Sequence, residues 1–124
     1  MRIVLVGICG SGKSSLARDL RGLGYEVREC GQEHSDVPRM WQAISRPDVL
    51  IYLDASEEAI YRRGERHYVA DCVATQRRRL AHARAHCNLY VMTDDLTEAQ
   101  VLAQVLEFLA GGEPAQAVTV QNCM

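Results

Sequence analysis

Arg2-Ile3-Val4-Leu5-Val6-Gly7-Ile8-Cys9-Gly10-Ser11-Gly12-Lys13-Ser14-Ser15 is the stretch on which the fold turns. It opens as a short, nearly continuous apolar run rich in β-branched residues, the pattern of a strand buried on both faces. A glycine-rich turn follows from Gly7 to Gly12. From Lys13 to Arg21, Leu16, Ala17 and Leu20 then recur at helical spacing until Gly22 and Gly24 end the run. Glycines let the backbone curl so that several N–H groups point at one anion, and the first turn of the helix adds its positive end. Gly7, Gly12, Lys13 and Ser14 meet the spacing G-x-x-x-x-G-K-[ST] in full, in the strand–loop–helix context that spacing requires. The bland alternative is a glycine turn that merely joins a strand to a helix; the complete match outweighs it.

The lysine of that spacing carries a second signal. Of the 14 basic residues all but Lys13 are arginine. Lysine is a slim, flexible point charge and arginine a bulky planar fork, so a chain that uses lysine at one place has a chemical reason there. Otherwise the composition is unremarked: 124 residues, 48% hydrophobic, with 16 acidic residues giving a net charge of -2. That size fits one domain, expected over residues 1–112, with 113–124 as a flexible tail in which Ala117–Val120 has the pattern to pair on a sheet edge. The charge balance gives no general drive onto nucleic acid or an anionic membrane, and no apolar run approaches a spanning helix. A cytoplasmic location is expected. The five cysteines are odd in number, scattered and without a C-x-x-C pair, so reduced thiols are expected rather than a disulfide framework or zinc cage.

Outward from the loop, strand and helix patterns alternate. Tyr25–Cys30 reads as a second strand, and the loop Gly31–Ser35 leads to a helix over about Asp36–Ser45 with Met40, Trp41 and Ile44 as its buried stripe. Val49–Leu53, ending at Asp54, reads as another doubly buried strand. Ser56 caps a helix through about Arg63, Gly64 interrupts it, and an arginine-rich helix runs from about Arg66 to His86. Asn88–Met92 is the fourth strand, and Thr97 with Gln100 forms a capping box for a last helix. The alternation predicts an α/β fold, a short, mostly parallel sheet of about four strands wrapped on both faces, with ligands outside the strands' carboxyl ends near Gly7, Cys30–Glu33, Asp54 and Thr93–Asp95.

These residues resemble the P-loop NTPases, most of all the small-molecule and nucleotide kinase branch. Besides the loop, Arg46–Asp54 with Arg62-Arg63 following is similar to the later strand and lid start of those kinases, and Asn88–Thr97 to their last strand and base-side loop. The likeness covers about residues 1–110 in element order, and only the phosphate loop is a specific motif. It implies a three-layer α/β/α fold with the phosphate loop after strand 1, binding of ATP or another nucleoside triphosphate by Gly7, Cys9, Gly10, Ser11, Gly12, Lys13, Ser14 and Ser15, and Mg2+ on the Ser14 hydroxyl. Arginines at Arg62, Arg63 and Arg66 would form the lid, stacking the base and clamping phosphate charge. Such kinases carry a further strand and an acceptor-binding insertion, whereas this chain has roughly twenty residues between Tyr25 and Pro47, so Tyr25–Cys30 is expected to flank the loop strand directly.

Glu33 and Asp54 end strands beside the loop and are the candidate carboxylates for Mg2+ and for catalysis with Lys13, Arg62 and Arg63; helix capping or solvation is the competing reading. His34 and Asp36 have the chemistry to accept a proton from an acceptor hydroxyl. Gly31-Gln32-Glu33 also resembles a GTPase switch segment, in which a glutamine orients water, although no N-K-x-D motif follows. Arg77-Arg78-Arg79 reads as a solvated face, and His82 and His86, spaced i, i+4 beside Cys87, as charges suited to a helix C-terminus rather than metal ligands. Cys9 lies at a helix N-terminus near Lys13, where a thiolate is favoured. The expected function is Mg2+-dependent transfer of a γ-phosphate to a nucleotide, nucleoside or other small molecule. The alternative is a non-catalytic or slowly hydrolysing nucleotide-binding regulatory module.

Overall fold

A computed structural model describes residues 1–63 and 73–111. Its strands are β1 (Arg2–Gly7), β2 (Glu26–Glu29), β3 (Val49–Asp54) and β4 (Leu89–Met92). All pair in parallel in the order β2-β1-β3-β4. The helices are α1 (Lys13–Gly22), α2 (Met40–Ser45), α3 (Glu57–Arg62), α4 (Val73–His86) and α5 (Glu98–Leu109), with a short 3-10 turn at Gln32–His34.

Period-two alternation within the buried strands sorts the core onto two faces. Ile3, Leu5, Ile51 and Leu53 pack with Leu16, Ala17 and Leu20 of α1 and Val101 and Val105 of α5. Val4, Val6, Leu50 and Tyr52 pack on the other face with Trp41, Ile60, Leu80 and Ala83. The sheet is thus covered on both faces. As expected from the short span before Pro47, β2 lies directly against β1, with Leu5 opposite Glu29.

The caps follow their chemistry. Ser56 accepts from the Ala59 N–H at 3.1 Å, and Thr97 with Gln100 forms both halves of a capping box. Gly7 is required by a close approach: a Cβ there would lie 2.1 Å from the Leu53 carbonyl oxygen.

Three expectations need correction. The helix anticipated from Asp36 begins only at Met40, because the Met40 N–H bonds Val37 O and the Gln32 side chain holds both Val37 O and the Trp41 N–H, fixing 37–40 as a turn. The shorter helix turns Ile44 out to 66% exposure and Ser45 in. Cys87 is disulfide-bonded, against the expectation of reduced thiols throughout; scattered spacing says nothing of which sulfurs meet in space. The expectations for Gly64, for the beginning of the arginine-rich helix with Arg66, and for the tail 113–124 lie outside the described residues. No helix among the described residues is long and apolar enough to cross a membrane.

Candidate functional site

The carboxyl ends of β1, β2 and β4 open into a cavity of about 640 Å³, lined by Cys9–Leu16 together with Glu29, Glu33, His34, Arg63, Thr93 and Glu98 among others. Gly12, at φ 100°, precedes the first turn of α1. The N–H groups of Gly12, Lys13, Ser14 and Ser15 find no acceptor among the described residues, the usual state of a helix start and the physical basis of an anion site.

Glu33 reaches the loop through the 3-10 turn. The Cys30 N–H bonds Leu5 O at 2.9 Å, which carries the β1–β2 ladder one residue further. Gln32 then locks the turn: its side-chain N–H groups donate to Val37 O (2.8 Å) and Arg79 O (3.3 Å), and its Oε1 accepts from the Trp41 N–H (2.9 Å). Gln32 is fully buried and holds the chain in place, so it does not stand in the cavity. Glu33, 4% exposed, accepts from Lys13 Nζ on Oε2, while its Oε1 is buried without a partner. Lys13 Nζ also donates to Gly7 O at 2.5 Å. Among the described residues the buried Ser11 Oγ is the other side-chain polar atom left without a partner. Such atoms are rare in folded proteins and mark places where a ligand or water belongs.

Other contacts tie the loop to its surroundings. Arg63 Nη1 donates to Gly10 O (2.7 Å) and to Thr93 Oγ1 (3.2 Å), and its Nη2 to Thr93 O (2.7 Å). The buried Thr93 hydroxyl lies 3.0 Å from both Ser11 O and Asp54 O. The Cys9 N–H donates to Gln76 Oε1 at 2.9 Å, so α4 also braces the loop. Ser14 Oγ donates to Glu29 Oε1 (2.8 Å) and Ser15 Oγ to Glu98 Oε1 (2.9 Å). Glu29, Glu98 and Gln76 are not singled out by the sequence, whereas Thr93 lies in the strand end, Thr93–Asp95, expected to face a ligand. For Glu29 a signal existed, since strand alternation and the loop's position place the last residue of β2 beside the loop; for Gln76 there was none.

The cavity brings together Lys13, Ser14, Glu33 and Arg63 but not Asp54 or Arg62. Asp54 was expected beside the magnesium ligand Ser14. Instead its Oδ2 accepts from Arg77 Nη1 (2.8 Å) and from the Tyr90 hydroxyl (2.5 Å), and its Oδ1 accepts from the Ala55 N–H (2.8 Å). It lines a separate pocket of about 390 Å³ with Tyr52, Arg77 and Arg84. The cause is the strand's alternation, which sends the Asp54 side chain toward α4. Burial, and for Tyr90 also the bond to Asp54, pushes the Tyr52 and Tyr90 hydroxyls well above the ordinary phenol range, so both stay protonated. Arg84 lies 3.9 Å over the Tyr90 ring. Arg62 donates to Asp94 O (3.2 Å) and pairs with Glu58 (3.8 Å), away from the loop.

The arginine cluster is not the solvated face expected of it. Arg77 pairs with Asp54, and Arg79 pairs with Asp36 at 2.8 Å and holds that carboxyl below its usual range; Arg78 is exposed and has no such pair among the described residues. Asp36 is thereby tied to α4. His82 accepts from Trp41 Nε1 on Nδ1 at 3.1 Å and stands beside His86.

Set against protein-family models and curated proteins, the chain matches none of them.

Proposed function

We propose that this chain binds the polyphosphate of ATP or another nucleoside triphosphate, with Mg2+, in the cavity around Gly7–Ser15, and transfers a γ-phosphate to a small-molecule acceptor. The observation that carries the reading is Lys13, the chain's only lysine, at a helix start whose N–H groups lack acceptors, beside two buried orphaned oxygens, Ser11 Oγ and Glu33 Oε1. Fold-level resemblance to the P-loop kinases agrees with it but is analogy.

The donor set fits magnesium. Ser14 Oγ, Glu29 and Glu33 offer hard oxygens and few of them, which suits an ion that keeps most of its water. Mg2+ held there would neutralise phosphate charge as it moves onto the leaving oxygen. The chain's own residues do the rest. The helix-start N–H groups orient the phosphates, and Lys13 turns from Glu33 toward them. Arg63 fixes the loop through Gly10 O and presents its remaining charge to the same cavity. His34, exposed at the cavity wall, has the chemistry to accept the acceptor's hydroxyl proton. The regulatory-module alternative rests on the abbreviated acceptor region and on Gln32 as a water-orienting group; with Gln32 committed to Val37, Arg79 and Trp41, the acceptor region alone supports it.

Calorimetry with ATP, GTP and Mg2+ tests binding, and ADP release across a panel of nucleosides, nucleotides and small metabolites tests transfer. Heat of binding that Lys13→Ala abolishes, with acceptor-stimulated ADP release, is the expected result. No heat with any triphosphate overturns the proposal; binding without stimulation selects the regulatory module.

A further inference from the structure

One wall of the cavity brings a thiol and an imidazole, donors that magnesium does not favour, onto the Glu33 carboxylate. Cys9 Sγ stands 3.3 Å from His34 Nε2 and 3.8 Å from Glu33 Oε2, and those two atoms are 3.7 Å apart. Ligand atoms around a tetrahedral zinc at its usual ~2.0–2.3 Å stand roughly 3.3–3.8 Å from one another. The three separations lie within that overall range, so one ion can reach all three atoms. The trio comes from two elements: Cys9 from the loop after β1, and Glu33 and His34 from the turn that Gln32 locks. We propose that Cys9 Sγ, the Glu33 carboxylate and His34 Nε2 form a three-ligand site for Zn2+ or a similar thiophilic divalent cation, its fourth position open to the cavity.

Two further observations support a cation here. Glu33 is 4% exposed and its Oε1 has no partner, so the carboxylate has unused acceptor capacity at the site. Glu33 Oε2 already holds one cation, the Lys13 ammonium. The donor chemistry selects the metal: thiolate and imidazole suit zinc, whereas magnesium prefers oxygen ligands alone. Binding replaces the Cys9 S–H proton, released to solvent, by a metal–sulfur bond, with no change of oxidation state. Glu33 then serves the metal in place of Lys13, and the two cations compete for it. The competing reading is a thiol–imidazole–carboxylate hydrogen-bond network with no metal role.

The site rests on no nucleotide chemistry, and its test uses none. Co2+ is titrated into the full chain, since a thiolate bound to Co2+ gives a charge-transfer band and a tetrahedral ion gives intense visible bands. The wild type is expected to show both at one equivalent, and Zn2+ to displace them. Cys9→Ser removes the thiolate band while Cys30→Ser, altering a buried thiol elsewhere, keeps it. His34→Gln, at an exposed residue, weakens Co2+ about tenfold or more, and Lys13→Ala tightens it by removing the competing cation. Circular dichroism checks that each variant is folded. No band in the wild type reduces the trio to its hydrogen bonds and overturns the proposal. So does a band that survives Cys9→Ser, an affinity unmoved by His34→Gln, or one not tightened by Lys13→Ala. Failure of triphosphate binding in the preceding experiment leaves these outcomes untouched.

Discussion

Lys13 and Glu33 form a nearly buried ion pair, their side chains 11% and 5% exposed. Lys13 starts α1 and Glu33 sits in the turn after β2, so the pair ties the loop to the neighbouring strand end. Charges this far from water are held in place by each other and, for Lys13, by the Gly7 carbonyl oxygen. Any ligand that draws Lys13 away must offer an anion of its own, and must leave Glu33 with a replacement cation.

Lys13→Ala therefore has two separable consequences. On the proposed function the cavity loses the cation that meets the phosphates, which should lower turnover by about 100-fold to 1,000-fold, the range for removing one group that stabilises transferring charge. Glu33 is left buried and unpaired, which should cost about 3 kcal/mol in chemical denaturation. Lys13→Arg restores the charge but replaces the slim ammonium by a planar fork, and should recover stability more fully than turnover. Steady-state kinetics and urea melts on both variants check the split. Equal losses of turnover and stability in Lys13→Arg would count against a role for Lys13 beyond the pair.

On the proposed function, the cavity's own charges call for a metal beside the polyphosphate. Glu29, Glu33 and Glu98 face Lys13 and Arg63, so a bare polyphosphate meets three carboxylates and two cations. Removing Mg2+ with EDTA should weaken triphosphate binding by at least about tenfold, as like charges at this range repel even through salt. Glu29→Gln should narrow that ratio from both directions, strengthening the metal-free complex and weakening the magnesium complex. A metal-free affinity equal to the magnesium value in the wild type would contradict the argument.

Asp54 has a structural task. Its bonds to Arg77, Tyr90 and the Ala55 N–H hold the end of β3 against α4 and β4. Asp54→Asn should cost about 1–3 kcal/mol of stability, discounted because Arg77 is partly exposed. Once folded, the variant should retain turnover within about threefold, since the group lies outside the cavity that Lys13 lines. Thermal melts and kinetics at a temperature well below the midpoint check both halves. A folded variant with abolished turnover would return Asp54 to the chemistry.

Gly7 is constrained from outside the loop. The Leu53 carbonyl oxygen occupies the place a Cβ would take, so Gly7→Ala must push β3 away from β1 at the centre of the sheet. A loss of more than about 2 kcal/mol is expected in urea unfolding, from overpacking against backbone that cannot yield. Ala at Gly12, where a Cβ would meet nothing within 4 Å, should cost less, and its cost comes from the positive φ alone.

β1, β3 and β4 were legible because their residues are buried on both faces and so appear as nearly uninterrupted apolar runs, Val49–Leu53 among them. β2 (Glu26–Glu29), by contrast, buries only Val27 and was legible from its place between two glycine turns. The caps at Ser56 and Thr97 were legible because capping is local chemistry. Glu33 was found because it follows a strand beside the loop. Asp54 was misplaced by the same rule: sequence gives the strand end but not which face its last side chain takes. The turn at 37–40 was read as helix because its cause, Gln32 holding Val37 and Trp41, is a side-chain bracket five and nine residues long. Arg77 and Arg79 found their carboxylates 23 and 43 residues away, a pairing set by α4's packing and by no local pattern.

Trp41 offers a direct report on one titration. Its Nε1–H donates to His82 Nδ1, which requires that nitrogen to be unprotonated. Burial first, then the charges of His86 and Arg39, hold His82 below its ordinary value of 6.5. In the window between the depressed value and about 6.5 the unfolded chain binds more protons than the folded one, so stability should fall as pH falls through that window and lose no more from this group below it. Protonation at Nδ1 also breaks the bond to Trp41. Because Trp41 is the only tryptophan, its fluorescence between about pH 8 and about pH 5 should change in one step centred below 6.5. His82→Gln, whose amide oxygen can still accept from Nε1–H, should flatten both the fluorescence step and that part of the stability profile. A step that persists unchanged in His82→Gln assigns the titration to a group other than His82.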